Sequence, residues 1–462
     1  MTDHEEPPST SQNLPESRSV GNVWRPRLRE GRTRIRRFAV TLRKDPLHRT
    51  SALLVADYLI LGAAGGLFVL IATHIWDPHS IGVVSAVSGA TGLIVIAAGL
   101  GLPDTIVAFL AGERDQALMV RGALFIAVPV GVALLTTVWL VPGHFGVPLT
   151  KLGISTPWAV TLTTVYVAAS LVGIIIDPAF LARQEVSWTV GKDLTSMLVR
   201  FVALLILAGT GTSGYFEVAV TYVVFAASVD LILLRLRVSR APRPRVSLGL
   251  GFIRSHANFA AGNQVAVLVA ILPTSLLPVI VLSRLGAASA AYVAIPMTIL
   301  GVLTVVPSMT AQSLFAEMSA HPEEMVEPVR KALRAAYVVT LPLALITIVI
   351  APFLLNLFGH AYSVEGHVFL RWGAASSVFF CFNYISDIVL LARKFVRAYV
   401  VANVVGTAFV MLSLFLGVHH GLGALGVAWF VGQGCYCTVS CVVLARNVGW
   451  RNLLSVIRYT LK

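Results

Sequence analysis

Charge is what this 462-residue sequence has least of. Asp, Glu, Lys and Arg together make up 12% of it, against roughly 25% in soluble domains. Acids are scarcer still, 22 against 35 Lys and Arg, which leaves a net charge of +13. With 56% hydrophobic residues and a mean hydropathy of +0.82, there is too little polar side chain to cover a water-facing core of this size. A soluble globular protein is excluded, and lipid becomes the solvent for most of the chain. Cysteine is also rare. Cys381, Cys435, Cys437 and Cys441 fall inside apolar runs, at spacings that do not bring three thiolates together on a helix. They read as small packing residues rather than as a metal site or disulfide. The start of the sequence lacks the apolar segment of a cleavable secretory signal: Met1 to Arg49 is polar, with Pro and Ser early and Arg late.

Long apolar runs fill the remainder. A transmembrane helix needs about 20 apolar residues at 1.5 Å rise, and in that window twelve spans are expected. The first six lie near 53–75, 80–102, 118–141, 158–182, 194–213 and 215–235. The second six lie near 256–283, 288–312, 335–356, 367–392, 398–417 and 422–445. The basic residues test the count. With the N-terminus inside, 31 of the 35 Lys and Arg collect on the cytoplasmic side. Only Lys151, Arg284 and Arg371 lie outside, and Arg200 alone sits within a span. One span more or fewer would scramble that partition. Such placement also argues against nucleic acid, which would call for a basic stripe on a folded domain.

The fold expected is all-α: a multi-pass protein of a cytoplasmic membrane with both termini inside. Its parts are a disordered, polybasic tail (1–50), a six-helix bundle (51–236), a basic linker (237–253), a second six-helix bundle (254–446) and a C-terminal tail (447–462). The tail segment from Arg25 to Arg49 interleaves Ile35, Phe38, Val40 and Leu42 with arginine. That pattern suits either an interfacial helix on anionic lipids or a disordered positive-inside tail. A shift of 210 residues superposes the halves: Asp177 falls on Asp387, and Leu181-Ala182-Arg183 on Leu391-Ala392-Arg393, so a D-x-x-x-L-A-R string occurs twice. Two parallel repeats about an axis along the membrane normal form a transporter architecture with the substrate path between them. Pro273, Pro278, Pro296 and Pro307 would interrupt the seventh and eighth spans.

Polar groups at membrane depth are costly and usually face a cavity or a partner. Arg200 lies about 9 Å into the expected fifth span. It suits either a lumen cation for an anionic substrate group or an ion pair with Asp57, Asp104, Asp177 or Asp230. Those acids, with Asp387, sit near cytoplasmic helix ends. Most are at helix C-termini, where the dipole disfavours them, so cationic partners, the rim arginines first, are expected. Coupling to a proton or other ion at Asp57, Asp104, Asp177 or Asp387 is the functional alternative. Asn263, Gln264, Asn383, Asn403 and Gln433 can line a sugar-binding lumen, since an amide both donates and accepts. They equally suit bonds between helices. Gly62 and Gly66 form a GxxxG on the first span, a packing motif. Outer loops are short and hold no paired carboxylates or His–acid pair. No catalytic residue, cofactor or metal site is expected, His419-His420 included.

Several runs resemble the Wzx-like polysaccharide flippases of the multidrug/oligosaccharidyl-lipid/polysaccharide exporter superfamily. They are Ser80-Ile81-Gly82-Val83-Val84 running to Gly99-Leu100-Gly101, and Leu354-Leu355-Asn356-Leu357-Phe358-Gly359-His360-Ala361-Tyr362. Leu391-Ala392-Arg393 follows, with Asn403, then Gly421-Leu422-Gly423-Ala424-Leu425-Gly426-Val427-Ala428. The resemblance covers roughly residues 50–450. It implies that a polyprenyl-pyrophosphate-linked oligosaccharide crosses the bilayer for cell-surface polysaccharide synthesis, its head in a polar lumen and its tail in lipid. The sequence departs from that picture in having only Arg200 as a deep base. A cation-coupled exporter of small molecules, or a membrane protein of envelope assembly, is the alternative.

Overall fold

The structure, a computed structural model, describes residues 46–110, 116–140, 156–183, 185–209, 251, 254–320 and 325–450. All regular structure among them is helical. In hydrocarbon an unpaired backbone N–H or C=O costs several kcal/mol, and a helix pairs them within one segment. In chain order the helices begin with α1 (Pro46–Ile75), α2 (Pro78–Gly99), α3 (Leu102–Phe109), α4 (Gln116–Leu140), α5 (Thr156–Ala182) and α6 (Val186–Gly209). They continue with α7 (Ala257–Leu285), α8 (Ala287–Ala320), α9 (Val326–Asn356), α10 (His360–Ala375), α11 (Ser377–Ala392), α12 (Val396–Gly417) and α13 (Leu422–Val448). Packing divides the chain into residues 1–56 and residues 57–462, and every long-range contact named here belongs to the second unit.

Among the described residues, eight helices are long and apolar enough to cross a bilayer, and α10 with α11, bent by 44°, makes a ninth. The expected sixth span, 215–235, lies outside the described residues, as do most of the linker and the tail beyond 450. Two expectations are corrected. The tenth span is not one helix over 367–392: it starts at His360 and turns at Ser376, whose hydroxyl donates to the Gly373 carbonyl at 2.5 Å. A serine hydroxyl that bonds main chain competes with the helical ladder and bends it. The fifth span starts at Val186, not near 194, which brings Lys192 inside the helix. The prolines of the seventh and eighth spans remove donors from the ladder without ending either helix, since α7 and α8 run on through them.

The helices meet through small residues. A methyl group at Gly82 would fall on the Ala287 carbonyl, and one at Gly89 on the Ser275 carbonyl. Thus α2 lies backbone to backbone against α7 and the start of α8, running antiparallel to α7. The Gly62–Gly66 pair of α1, by contrast, has open space beside both positions. Phe68 of α1 and Trp76 just beyond it join the largest core, with Leu277 and Val281 of α7 and Phe369 of α10. A second core packs α2, α3, α4 and α5 around Leu102, Ile106, Leu135 and Leu171.

At its far end α2 breaks. Leu100 and Gly101 both take left-handed conformations, with φ of 52° and 69°, and a side chain at Gly101 would strike the Ala260 carbonyl. The break costs the Ile96 carbonyl and the Gly101 N–H their helical partners. Gln264 of α7 replaces both: Oε1 accepts from Gly101 N–H at 2.5 Å and Nε2 donates to the Ile96 carbonyl at 2.7 Å. One residue earlier, Asn263 Nδ2 donates to Asp104 Oδ2 at 2.5 Å. Beyond it, the Phe109 ring stacks at 4.1 Å on His256 and meets Phe259 edge-on at 5.3 Å.

Two outcomes follow for thermal unfolding in detergent. Gly89→Ala should destabilise by about 1–3 kcal/mol through overpacking, while Gly92→Ala, which has nothing within 4 Å, should not; equal shifts would contradict the backbone contact. Gln264→Met leaves two main-chain groups unpaired and should cost about 2–4 kcal/mol. An unchanged midpoint would show that the break does not rely on this amide.

Candidate functional site

The duplicated D-x-x-x-L-A-R string builds the same local structure twice. α5 ends at Ala182 and α6 begins at Val186; α11 ends at Ala392 and α12 begins at Val396, each pair again 210 residues apart. Both acids therefore lie five residues before a helix end, facing the helix that follows. There the copies part. In the first, Asp177 meets Lys192 of α6 at 2.7 Å, and the same ammonium reaches Asp193 at 3.1 Å. The lysine is 7% exposed, and a cation so placed requires such partners. In the second copy, the place of Asp193 falls to Asn403. Its Nδ2 donates to Asp387 Oδ1 at 3.3 Å and to the Tyr399 carbonyl at 3.0 Å, while Oδ1 accepts from the Tyr436 hydroxyl at 2.8 Å. No cation among the described residues lies within ion-pair distance of Asp387.

Asp387 opens into a cavity of about 210 Å³ walled by α7, α8, α11, α12 and α13. Four residues expected to be functional come together there: Asn383 and Asp387, one turn apart on α11, Asn403 on α12 and Gln433 on α13. Thr304 and Thr407 add hydroxyls, and Phe380, Tyr384, Trp429 and Tyr436 add aromatic surface. Asn383 and Trp429 are 5% and 2% exposed, yet both polar atoms of the Asn383 amide and the Trp429 indole N–H make no hydrogen bond within the protein. Buried polar groups are nearly always paired. Here two unpaired ones share a cavity wall with a carboxylate, an arrangement whose chemistry suits a small polar or cationic guest. Among the described residues no Lys or Arg lines it.

The other expected residues lie elsewhere. Asn263, Gln264 and Asp104 form the joint between α7 and the break in α2, and the partner of Asp104 there is an amide rather than a rim arginine. Asp177 has Lys192 of α6 at its carboxylate, at 2.7 Å. Arg200 is half-buried on α6, outside the cavity, beside Phe201, whose ring packs on Phe68 at 6.1 Å. The Asp57 side chain, and Asp230 altogether, fall outside the described residues. Sequence reasoning missed Tyr436 and Trp429. The one available signal was their spacing: Trp429, Gln433 and Tyr436 recur at helical intervals and share one face. The four cysteines are free thiols, and no cluster of three or more His, Cys, Asp or Glu occurs among the described residues.

No protein-family model matches the sequence, and no curated protein matches it. Solved structures do match. A lipid II flippase, MurJ, in an inward closed conformation superposes with a TM-score of 0.69 at 10% identity, over 89% of this chain and 91% of that one. A multidrug resistance MATE family transporter of the MOP superfamily, inward-facing, gives 0.64 at 14% identity over 86% and 98%. An outward-facing MATE structure gives 0.57 at 16% identity over 88% and 97%. At these identities the likeness is one of fold: this polytopic helical chain has the fold of the MOP superfamily transporters.

Proposed function

We propose that the protein is an alternating-access transporter that carries a polyprenyl-pyrophosphate-linked oligosaccharide across the cytoplasmic membrane, driven by a proton or small cation exchanged at Asp387. The observation that carries the coupling half is the divergence of the repeated acids. Asp177 is paired with a buried lysine that it shares with Asp193, whereas Asp387 faces a cavity with amides and hydroxyls around it and, among the described residues, no counter-charge. A carboxylate held that way can bind a small cation and release it when the helices around it rearrange. The substrate half rests on the sequence resemblance to the polysaccharide flippases and on the likeness in fold to a lipid II flippase. The Asp387 cavity holds no base and is too small for a glycan head, so the oligosaccharide belongs on the path between the two six-helix halves. There Arg200 would meet the pyrophosphate while the halves rock. A second reading, export of small amphipathic cations, is favoured by the same cavity, since an acid lined by aromatics suits a cationic guest.

The two readings separate in a deletion strain. If the chain is a flippase, lipid-linked oligosaccharide accumulates without it and wild-type protein clears it. Asp387→Asn should then abolish clearance, and Arg200→Ala likewise, with both variants present in the membrane at wild-type level. Absence of accumulation, with gain of resistance to amphipathic cations on overexpression, would replace the glycan with the exporter reading. Full clearance by Asp387→Asn would remove Asp387 from either.

A further inference from the structure

Pro352 interrupts the backbone ladder of α9 without breaking the helix. Having no N–H, it leaves the Ile348 carbonyl without its helical donor. Arg371 of α10 supplies one, Nε donating to the Ile348 carbonyl at 3.1 Å, and the Ser363 hydroxyl donates to the Pro352 carbonyl at 2.8 Å. The crevice between α9 and α10 is thus stitched on both sides of the proline. Arg371 is nevertheless an exposed residue. Its Nε is committed, and its four Nη hydrogens find no acceptor among the described residues.

The surroundings of that guanidinium are apolar. Leu345 is 62% exposed, Val349 67% and Phe353 71%, on one of the most hydropathic spans of the chain. An exposed face of this composition suits lipid tails rather than water. Ile348 lies eight residues before the end of α9 at Asn356, about 12 Å along the axis. The nearest acid on α10, Glu365, is six residues from Arg371, about 9 Å along the axis, and makes no ion pair with it. His367 turns its Nδ1–H onto the Ser363 carbonyl at 2.8 Å. A guanidinium with unmet donors at that depth is costly. The acceptor that the lipid side can offer is a phosphate, which pairs with a guanidinium fork through two parallel bonds.

We propose that Arg371, in the lipid-facing crevice between α9 and α10, is a binding site for the phosphate of an anionic phospholipid. The Ile348 carbonyl freed by Pro352 fixes the guanidinium through Nε, and the Nη groups hold the phosphate. The site does not depend on what the protein transports.

Photo-crosslinking of the full chain in neutral detergent tests this, using a photoreactive phosphatidylglycerol and a photoreactive diacylglycerol of the same acyl chains. On wild-type protein the phosphate probe should label the peptides around Ile348 and Arg371 at least about tenfold more than the diacylglycerol, the factor that one charge-assisted contact supplies. Unlabelled phosphatidylglycerol should compete, and millimolar inorganic phosphate should not. Arg371→Gln should fall to the diacylglycerol level, with Arg371→Lys in between. Equal labelling of wild-type protein by the two probes would overturn the proposal without recourse to any variant. Competition by inorganic phosphate would overturn the lipid as its source.

Discussion

A polar group inside a bilayer has no water to turn to, so the protein must answer each one itself. That constraint explains more of this structure than any single contact. It makes every described span a helix. It also dictates what happens where a helix fails. At the break in α2 the Gln264 amide stands in for two lost main-chain partners. At Pro352 of α9, Ser363 and Arg371 cap the neighbouring carbonyls. The side chains that look most exotic in an apolar sequence are in large part splints for the backbone.

The same rule sorts the ionisable groups. Asp177 and Lys192 cancel one another inside the bundle, and a pair so formed is expensive to break. Asp387 stands at the corresponding place 210 residues later, where Ala402 takes the position of Lys192 and the Asn403 amide is the group that meets the acid. Around it the pairing rule lapses, for Asn383 and Trp429 keep donors and an acceptor unmet in the cavity wall. What sets these groups apart is that they share the wall of one cavity with the Asp387 carboxylate. The backbone-to-backbone seam of α2 on α7 and α8, made possible by Gly82 and Gly89, holds the rest of the scaffold against that region.

Much of this was legible in the sequence, and the failures are instructive. Apolar runs located the helices, because length and hydropathy are what a bilayer demands. The expected spans 158–182 and 367–392 placed both helix ends at Ala182 and Ala392. Asn383, Asp387, Asn403 and Gln433 stood out as polar groups in apolar surroundings. What could not be read was which amides serve the cavity and which serve the backbone. Gln264 and Gln433 look alike in sequence; they differ by neighbours brought in from distant parts of the chain. The polar first turns of α6 hid the true start of that helix, so Lys192 was taken for a loop residue and the partner of Asp177 went unseen. The bend at Ser376 sits in an unbroken apolar run, where nothing local announces it. Trp429 and Tyr436 do not stand out in the sequence, since aromatic residues in a span are common.

The central claim is that Asp387 changes its ionic state as the transporter works. Infrared difference spectroscopy on the purified full chain in lipid, stepped first in proton and then in sodium concentration, reads that state directly. A carboxyl band that changes in the wild type and vanishes in Asp387→Asn is the predicted result. Difference spectra that are the same with and without the Asp387 carboxylate would contradict it.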